Sequence, residues 1–358
     1  MSAEVKRLDN IQVLRAIAAL MVCAFHLQYL FMESDGVKPF PNGEMGVQVF
    51  FIISGLIMYH TTRNEQGLPR KSPWLFAQNR IIRIVPLYLL VSFIYVADDI
   101  SWQYLNENFY RIVKTVFFLP QMTDTLGPKY GYPLIDVGWT LNYEMFFYFI
   151  FFLSLFFGRL AYRLLISTIV VFGALIPLVL TGGFDPAYTT FHDYPISFLN
   201  LFCNPMVLLF ASGVVLGMLM GRVEWGKPLL ICGFVVSTFF FIIHVTGILG
   251  IQVNIFTDLL FIFPWIFFAA MCDKAGVFVF QQRRLTSIGD ASYSLYLWHP
   301  VVFAYLRLFA ERLSIPYMDF PWLSFLFGMI AALIMAHLSF VQFESRITPW
   351  LKSKWLVK

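Results

Sequence analysis

Hydrophobic runs of about twenty residues follow one another along most of this chain, separated by short segments that carry turns and charges. A helix of that length crosses the hydrocarbon core of a bilayer. The segment 110–122 is too short and too charged to span, and we expect an interfacial helix there. The pattern predicts ten membrane spans, near 11–31, 46–62, 84–100, 139–157, 164–181, 201–221, 228–246, 251–272, 289–309 and 322–344.

Composition supports the same class of protein. The chain is 59% hydrophobic and only 13% charged, with a mean hydropathy of +0.72, whereas soluble domains carry about 25% charged residues. We therefore predict an all-α, polytopic integral membrane bundle formed by one domain, residues 1–358, with no cleaved signal peptide. No spacing of Cys, His or carboxylates indicates a metal site, and the four cysteines form no CxxC pair that would indicate a disulfide framework.

The net charge of +4 has a topological explanation and does not indicate nucleic-acid binding. Lys and Arg collect in cytoplasmic loops of membrane proteins. With the N-terminus inside, eighteen of them fall on the cytoplasmic side and Arg15 lies within a span. Only six fall outside, at Lys38, Arg111, Lys114, Lys129, Arg307 and Arg312. Both termini are thus predicted to be cytoplasmic.

The first span carries two ionisable residues, Arg15 and His26. Eleven residues make about three helical turns and a rise of about 16 Å, so both side chains lie on one face. Ionisable groups at membrane depth are costly and usually face an interior or a water-filled cavity where they serve a function. The alternatives are an arginine that reaches the interface and a histidine bonded to a neighbouring helix.

A second basic pair, Arg80 and Arg83, stands three residues apart just before Pro86. Residues at that spacing are neighbours on one helical face, and two guanidinium groups can fork onto phosphate oxygens. Arg15 is expected at the same cytoplasmic depth. Three arginines at one level suit a ligand with several phosphates, such as a coenzyme A thioester. Anionic lipid headgroups are a competing ligand, and purely topological charges are the other alternative.

Glu144 lies about five residues into the fourth span, which enters from the outer side. Its depth, roughly 8 Å, should match that of His26, fifteen residues into a span that starts inside. A carboxylate beside an imidazole fixes its tautomer and raises its basicity. We therefore expect Glu144 to orient His26, with a structural contact between helices as the alternative.

Two weaker features lie in the second and ninth predicted spans. Ser54 and Gly55 form a small-residue pair of the kind that lets helices pack closely. Tyr293, Tyr296 and His299 follow one another at intervals of three and form a polar stripe along an otherwise apolar helix. We interpret this stripe as helix-packing polarity rather than as part of a catalytic site.

Five segments together resemble the membrane acyltransferase 3 family: Arg15-x10-His26, GVQVFFIISGLIM (46–58), Arg80-x-x-Arg83 with IVPLY, WTLNYEMFFY (139–148) and LTSIGDASYSLYLWHP (285–300). The resemblance covers the whole chain in the right order. It implies a ten-span fold and O-acyl transfer to surface or exported carbohydrates, and the opening is similar to bacterial exopolysaccharide O-acetyltransferases. Through it, Arg15, His26, Arg80 and Arg83 correspond to essential residues of the family, and Glu144 to its fourth-span acid. Longer members append an SGNH hydrolase domain, which we do not expect here.

The resemblance leads to a specific expectation. Acetyl-CoA is the expected donor and co-substrate, held by Arg15, Arg80 and Arg83, with His26 as general base and Glu144 beside it. The expected acceptor is a sugar hydroxyl of an exopolysaccharide or other surface-carbohydrate precursor, free or lipid-linked, and the expected location is the bacterial inner membrane. Membrane lipids and polysaccharide-assembly proteins are the other expected partners. A transporter or flippase of a lipid-linked or acylated sugar, or a structural assembly protein, remains the alternative.

Overall fold

The protein is a bundle of helices. A computed structural model describes residues 7–31, 39–70, 72–123, 126–192, 194–196, 198–280, 283–316 and 319–356. Within these ranges the regular structure is helical, apart from an isolated bridge between Arg63 and Pro69. Lys6, Lys38, Lys71 and Lys358, which contribute to the predicted orientation, lie outside them.

Sixteen helices follow in chain order within the described ranges. They are α1 (Asp9–Phe31), α2 (Gly46–Thr62), α3 (Pro73–Tyr95), α4 (Trp102–Glu107), α5 (Phe109–Val116), α6 (Trp139–Leu155), α7 (Ala161–Val170), α8 (Ile176–Thr181), α9 (Leu199–Phe202), α10 (Val207–Met220), α11 (Lys227–Val245), α12 (Ile255–Lys274), α13 (Arg283–Asp290), α14 (Ser292–Arg312), α15 (Pro321–Ser339) and α16 (Thr348–Trp355). A π-helical turn, Val171–Leu175, joins α7 to α8, and a second, Phe340–Ile347, joins α15 to α16.

Eight helical segments of the described chain are long and apolar enough to cross a membrane, judged by length and composition. They are Asp9–Leu30, Gly43–Thr62, Pro73–Tyr95, Gly158–Thr181, Leu199–Met220, Lys227–Val245, Ile255–Lys274 and Pro321–Trp355. The other two predicted spans correspond to α6, which is only 17 residues long, and to α14, which carries a polar stripe and three charged residues near its end. The all-helical membrane class is confirmed, while the count of ten and the cytoplasmic termini stay predictions.

Helices α2 and α10 form the centre of the bundle. Their spans are each 72% buried, whereas the spans of α11 and α15 are 28% and 22% buried and present apolar side chains outward. A Cβ at Gly55 would collide with the carbonyl oxygen of Phe210, and a Cβ at Gly213 with that of Ile52. The two backbones therefore touch where each lacks a side chain. This confirms the close-packing role predicted for Gly55, whereas Ser54 beside it bonds to Glu144 on α6.

The start of α1 is fixed by a carboxylate from α12. The backbone N–H groups of Asn10 and Ile11 donate to Asp273, at 3.0 and 3.2 Å. The Asn10 side chain donates to Val277 at 2.8 Å and accepts from the N–H of Val279 at 3.0 Å. The first N–H groups of a helix lack partners within it and attract negative charge. This network therefore sets the register of α1, and with it the positions of the first-span site residues.

Helix α3 begins earlier than the sequence pattern predicted. The predicted span started at residue 84, but the helix starts at Pro73, whose fixed φ suits the first helical position. The helix continues through Pro86 to Tyr95. Arg80 and Arg83 consequently lie inside a helix and not in a connector before it, which makes their shared face a property of α3 itself.

The segment predicted as one interfacial helix over 110–122 is also different. It contains α5, which ends at Val116, and α5 is preceded by the separate short helix α4. Arg111 on α5 donates to the carbonyl oxygens of Tyr132 and Pro133, at 3.2 and 2.7 Å. These bonds tie the segment to the chain just before α6.

Candidate active site

A cavity opens between five helices, α1, α2, α3, α6 and α14, with an empty volume of about 800 Å³ that includes its mouth. Four of the predicted site residues line it: Arg15, Arg80, Arg83 and Glu144. Most of the remaining wall is aliphatic and aromatic, with hydroxyl groups contributed by α2, α6 and α14. The structure thus brings together charged residues that are up to 129 positions apart in the sequence.

Arg15 is held at the cavity wall by two hydrogen bonds. It donates to Oε1 of Gln12, one turn earlier on α1, at 3.0 Å. It also donates to Oγ of Ser292, at the start of α14, at 2.9 Å. Neither acceptor carries a charge, so the guanidinium group forms no ion pair with the described residues and keeps donors for a ligand.

Arg80 and Arg83 bring two further guanidinium groups to the same cavity. Arg80 lies over the ring of Tyr148, with its central carbon 5.9 Å from the ring centroid, and its Nε is buried without a hydrogen-bond partner. Arg83 makes no hydrogen bond or ion pair with the residues that the structure describes. Lys352 on α16 lies close enough to repel both groups. Buried polar groups without partners are uncommon, and here they point to an anionic ligand.

Glu144 is bonded within the cavity. Its Oε1 accepts from Oγ of Ser54 at 3.1 Å and from the hydroxyl of Tyr148. It also attracts Arg15 and Arg80 electrostatically. Glu344 and Asp290, which do not line the cavity, also attract Arg15. Among the described lining residues, one carboxylate faces three guanidinium groups.

The expected pairing of Glu144 with His26 does not form. Nδ1 of His26 lies 3.0 Å from the carbonyl oxygen of Val22 and 3.1 Å from Nε2 of His299 on α14. The matching depths of Glu144 and His26 were estimated from span ends, but depth says nothing about which faces of two helices meet. The partner of His26 is therefore a second histidine.

The histidine pair adjoins the cavity through Tyr296. This tyrosine lines the cavity, and its ring centroid lies 6.0 Å from that of His299. Its hydroxyl lies 2.8 Å from Oγ1 of Thr140, another wall residue. His26 itself is partly buried and does not line the cavity. The arrangement is a cationic chamber with an imidazole pair behind one of its aromatic walls.

The polar stripe of α14 bonds to neighbouring helices, as packing polarity does, and it also faces the cavity. Tyr293 and Tyr296 line the cavity, and His299 contacts His26. Tyr293 also donates to the carbonyl oxygen of Ile84 on α3 at 2.8 Å. The three-residue spacing of the stripe places its side chains on nearly one helical face. The same reasoning that was applied to Arg15 and His26 could therefore have placed the stripe at the cavity. Nothing in the sequence singled out Tyr148, which bonds Glu144.

Comparison with known proteins identifies the family. The profile described as "Acyltransferase domain", that of acyltransferase 3, matches residues 8–340. The chain is also 32% identical over 271 residues to the exopolysaccharide production protein ExoZ of Rhizobium meliloti (strain 1021). That similarity covers 73% of this chain and 76% of ExoZ. No solved structure matches the chain.

The family match includes every helix that lines the cavity, from α1 to α14. It therefore covers the arginine cluster, Glu144 and both histidines. The chain belongs to the acyltransferase 3 family and is a multi-pass membrane acyltransferase.

Proposed function

We propose that this protein transfers an acetyl group from acetyl-CoA to a sugar hydroxyl of an exopolysaccharide or other surface-carbohydrate precursor. The observation that carries the proposal is the cavity with three guanidinium groups, Arg15, Arg80 and Arg83, and a single lining carboxylate. Acyltransferases need an activated acyl donor, and coenzyme A thioesters are polyanionic. The similarity to ExoZ, an exopolysaccharide production protein, supports an exopolysaccharide acceptor.

The arginine cluster suits the phosphate groups of the donor. Arg83 has all its donors free toward the described residues, and the buried Nε of Arg80 has no partner among them. Guanidinium groups bind phosphate oxygens through two parallel N–H bonds. The predicted orientation puts this end of the bundle on the cytoplasmic side, where acetyl-CoA is available. Anionic lipid headgroups carry the same phosphate chemistry, so the experiment must distinguish binding of acetyl-CoA from binding of lipid.

His26 is proposed as the general base. It lies eleven residues beyond Arg15 on α1, about 16 Å along the helix, a distance that the extended pantetheine arm of the donor can cover. In the reaction, the sugar hydroxyl gives its proton to His26 and its oxygen attacks the thioester carbon. The C–S bond breaks, and the proton passes to the departing thiolate to give free coenzyme A. Holding both reactants together supplies much of the rate.

Glu144 receives a different role from the one expected. Bonded to Ser54 and Tyr148, it faces Arg15 and Arg80 and not His26. We assign it to keeping the guanidinium groups in place while the donor is absent. A carboxylate at this position limits the repulsion among like charges in a poorly hydrated cavity.

The acceptor, free or lipid-linked, would reach His26 from the end of α1 opposite the arginines. A bacterial inner membrane, contact with membrane lipids and cooperation with polysaccharide-assembly proteins complete the proposal.

The test is release of free thiol from acetyl-CoA by the purified protein in lipid nanodiscs, with and without candidate glycans. We expect thiol release that depends on a glycan, and acetylated glycan by mass spectrometry. A transporter of a lipid-linked or acylated sugar would bind glycan without releasing thiol. Excess anionic lipid that displaces acetyl-CoA completely and abolishes turnover would instead indicate a headgroup site.

A further inference from the structure

The two histidines are joined in a way that restricts their protonation. Each ring places its Nδ1 next to the carbonyl oxygen four residues earlier on its own helix: His26 at 3.0 Å from Val22, and His299 at 3.1 Å from Leu295. His299 is completely buried. The remaining contact runs between the rings, from Nδ1 of His26 to Nε2 of His299, at 3.1 Å.

A carbonyl oxygen only accepts hydrogen bonds, so both Nδ1 atoms must carry hydrogen. In a neutral His299 this leaves Nε2 as an acceptor, and the single hydrogen on Nδ1 of His26 is then shared between that Nε2 and the carbonyl oxygen of Val22. All three distances are consistent with this one assignment. With this assignment, the lone pair of His26 lies on Nε2. That atom has no hydrogen-bond partner among the described residues and is not fully buried.

We propose that His299 is a positioning residue that holds His26 in the Nδ1–H tautomer and aims its Nε2 at the acceptor hydroxyl. The proposal deepens the proposed function and rests on it. Phe303, with a ring centroid 5.5 Å from that of His299, and Tyr296 at 6.0 Å hold the His299 ring in turn. A neutral histidine thus occupies the place that a carboxylate takes in hydrolytic triads.

The arrangement also serves the proton transfer. When Nε2 of His26 takes the hydroxyl proton, the ring becomes an imidazolium and its Nδ1–H becomes a stronger donor. The lone pair on Nε2 of His299 accepts that stronger bond without itself taking a proton. The proton on His26 Nε2 then passes to the departing coenzyme A thiolate. Both rings are thereby back in their starting tautomers.

The first test compares His299→Leu with His299→Gln. Leucine removes the acceptor, and we expect kcat to fall about 10- to 100-fold, the range found when the partner of a metal-ligating histidine is removed. The KM for acetyl-CoA should stay within about twofold. Glutamine restores an oxygen near the position of Nε2 and should recover most of kcat. Tyr305→Phe, which removes a bond from α14 to the carbonyl of Ile94 outside the cavity, is the matched control and should keep wild-type kcat.

The second test needs no turnover. Spectra of the protein labelled with ¹⁵N-histidine in lipid bilayers, assigned with His26→Ala and His299→Leu, should place both rings in the Nδ1–H form. An Nε2–H tautomer at His26, or equal kcat in the Leu and Gln variants, would overturn the proposal. Wild-type protein with both Nδ1–H tautomers but no thiol release from acetyl-CoA would instead refute the proposed function, so the two failures are distinguishable.

Discussion

Two histidines in this bundle, His244 and His26, have opposite surroundings. His244 on α11 lies 3.4 Å from the carboxylate of Asp258 on α12, and that carboxylate also accepts from the hydroxyl of Tyr188 at 2.7 Å. Among the described residues, the hydrogen-bond partners of His26 are a second histidine and a backbone carbonyl, with no carboxylate bonded to it. Nδ1 of His244 is fully buried without a hydrogen-bond partner among the described residues, whereas Nε2 of His26 is not fully buried.

The difference separates polarity used for stability from polarity used for chemistry. Asp258 and His244 lie away from the cavity and join two helices to the segment that carries Tyr188. Such pairs are costly to break because each partner is left unsatisfied. The His26 pair lies beside a cationic cavity and keeps one nitrogen free, as a base requires. The predictions below test this division.

Removing His26 should have the largest effect. We expect His26→Ala to lower turnover by about 10² to 10⁴-fold, the usual contribution of a general base, even with saturating acetyl-CoA. The midpoint of thermal unfolding should change little, because the side chain forms one bond to a neighbouring helix. Thiol release and detergent-phase unfolding measure the two quantities. Full activity in this variant would end the catalytic role of α1 and favour the transporter.

Arg83 should determine donor affinity. Arg83→Ala should weaken acetyl-CoA binding by about 10- to 100-fold, since a hydrogen bond to a charged group contributes about 1.5–3 kcal/mol. Lysine should restore it partly, because a point charge cannot form the bidentate bond. Arg159→Ala, which removes an exposed charge outside the cavity, is the control. Titration calorimetry measures the affinity for acetyl-CoA. Equal affinity in the Arg83 and Arg159 variants would mean that Arg83 contributes only to membrane orientation.

The stability network should show the reverse pattern. Asp258→Ala leaves the hydroxyl of Tyr188 and a nitrogen of His244 without an acceptor, and we expect it to cost about 1–3 kcal/mol of unfolding free energy. Turnover per folded molecule should match wild type. Asp258→Asn keeps an acceptor for Tyr188 and should cost less. A drop in turnover that exceeds the loss of folded protein would contradict the division between the two regions.

Sequence reasoning predicted the helical membrane class and the four charged residues of the cavity wall because both depend on local information. Hydrophobic run length identifies spans, and helical periodicity places Arg80 beside Arg83. The predicted start of α3 was wrong because Gln78-Asn79-Arg80 and Arg83 interrupt the hydrophobic run that begins after Pro73. Hydropathy identifies residues that face lipid, whereas Arg80 and Arg83 face the cavity.

Contacts between helices were harder to predict. The Glu144–His26 pairing relied on depth alone, whereas the real partners depend on how the helices rotate against each other. That rotation is fixed by close packing such as Gly55 against Phe210, and by the anchoring of α1 through Asp273. No single run of sequence contains this information. His299 was visible as a polar position, but its partner was not.

The smallest expected effect is that of replacing Glu144. This variant distinguishes a Glu144 that acts on His26 from one that acts only on the arginines. Glu144→Gln keeps an acceptor for Ser54 and Tyr148 but removes the negative charge from the cavity. We expect turnover to fall less than about tenfold and acetyl-CoA affinity to hold or rise, since positive charge then dominates further. Because Glu144 does not contact His26, the losses in a His26→Ala/Glu144→Gln double variant should multiply, as they do for separate sites. A double variant no worse than His26→Ala would mean that the two residues act as one unit, and the pairing predicted from depth would then operate during turnover.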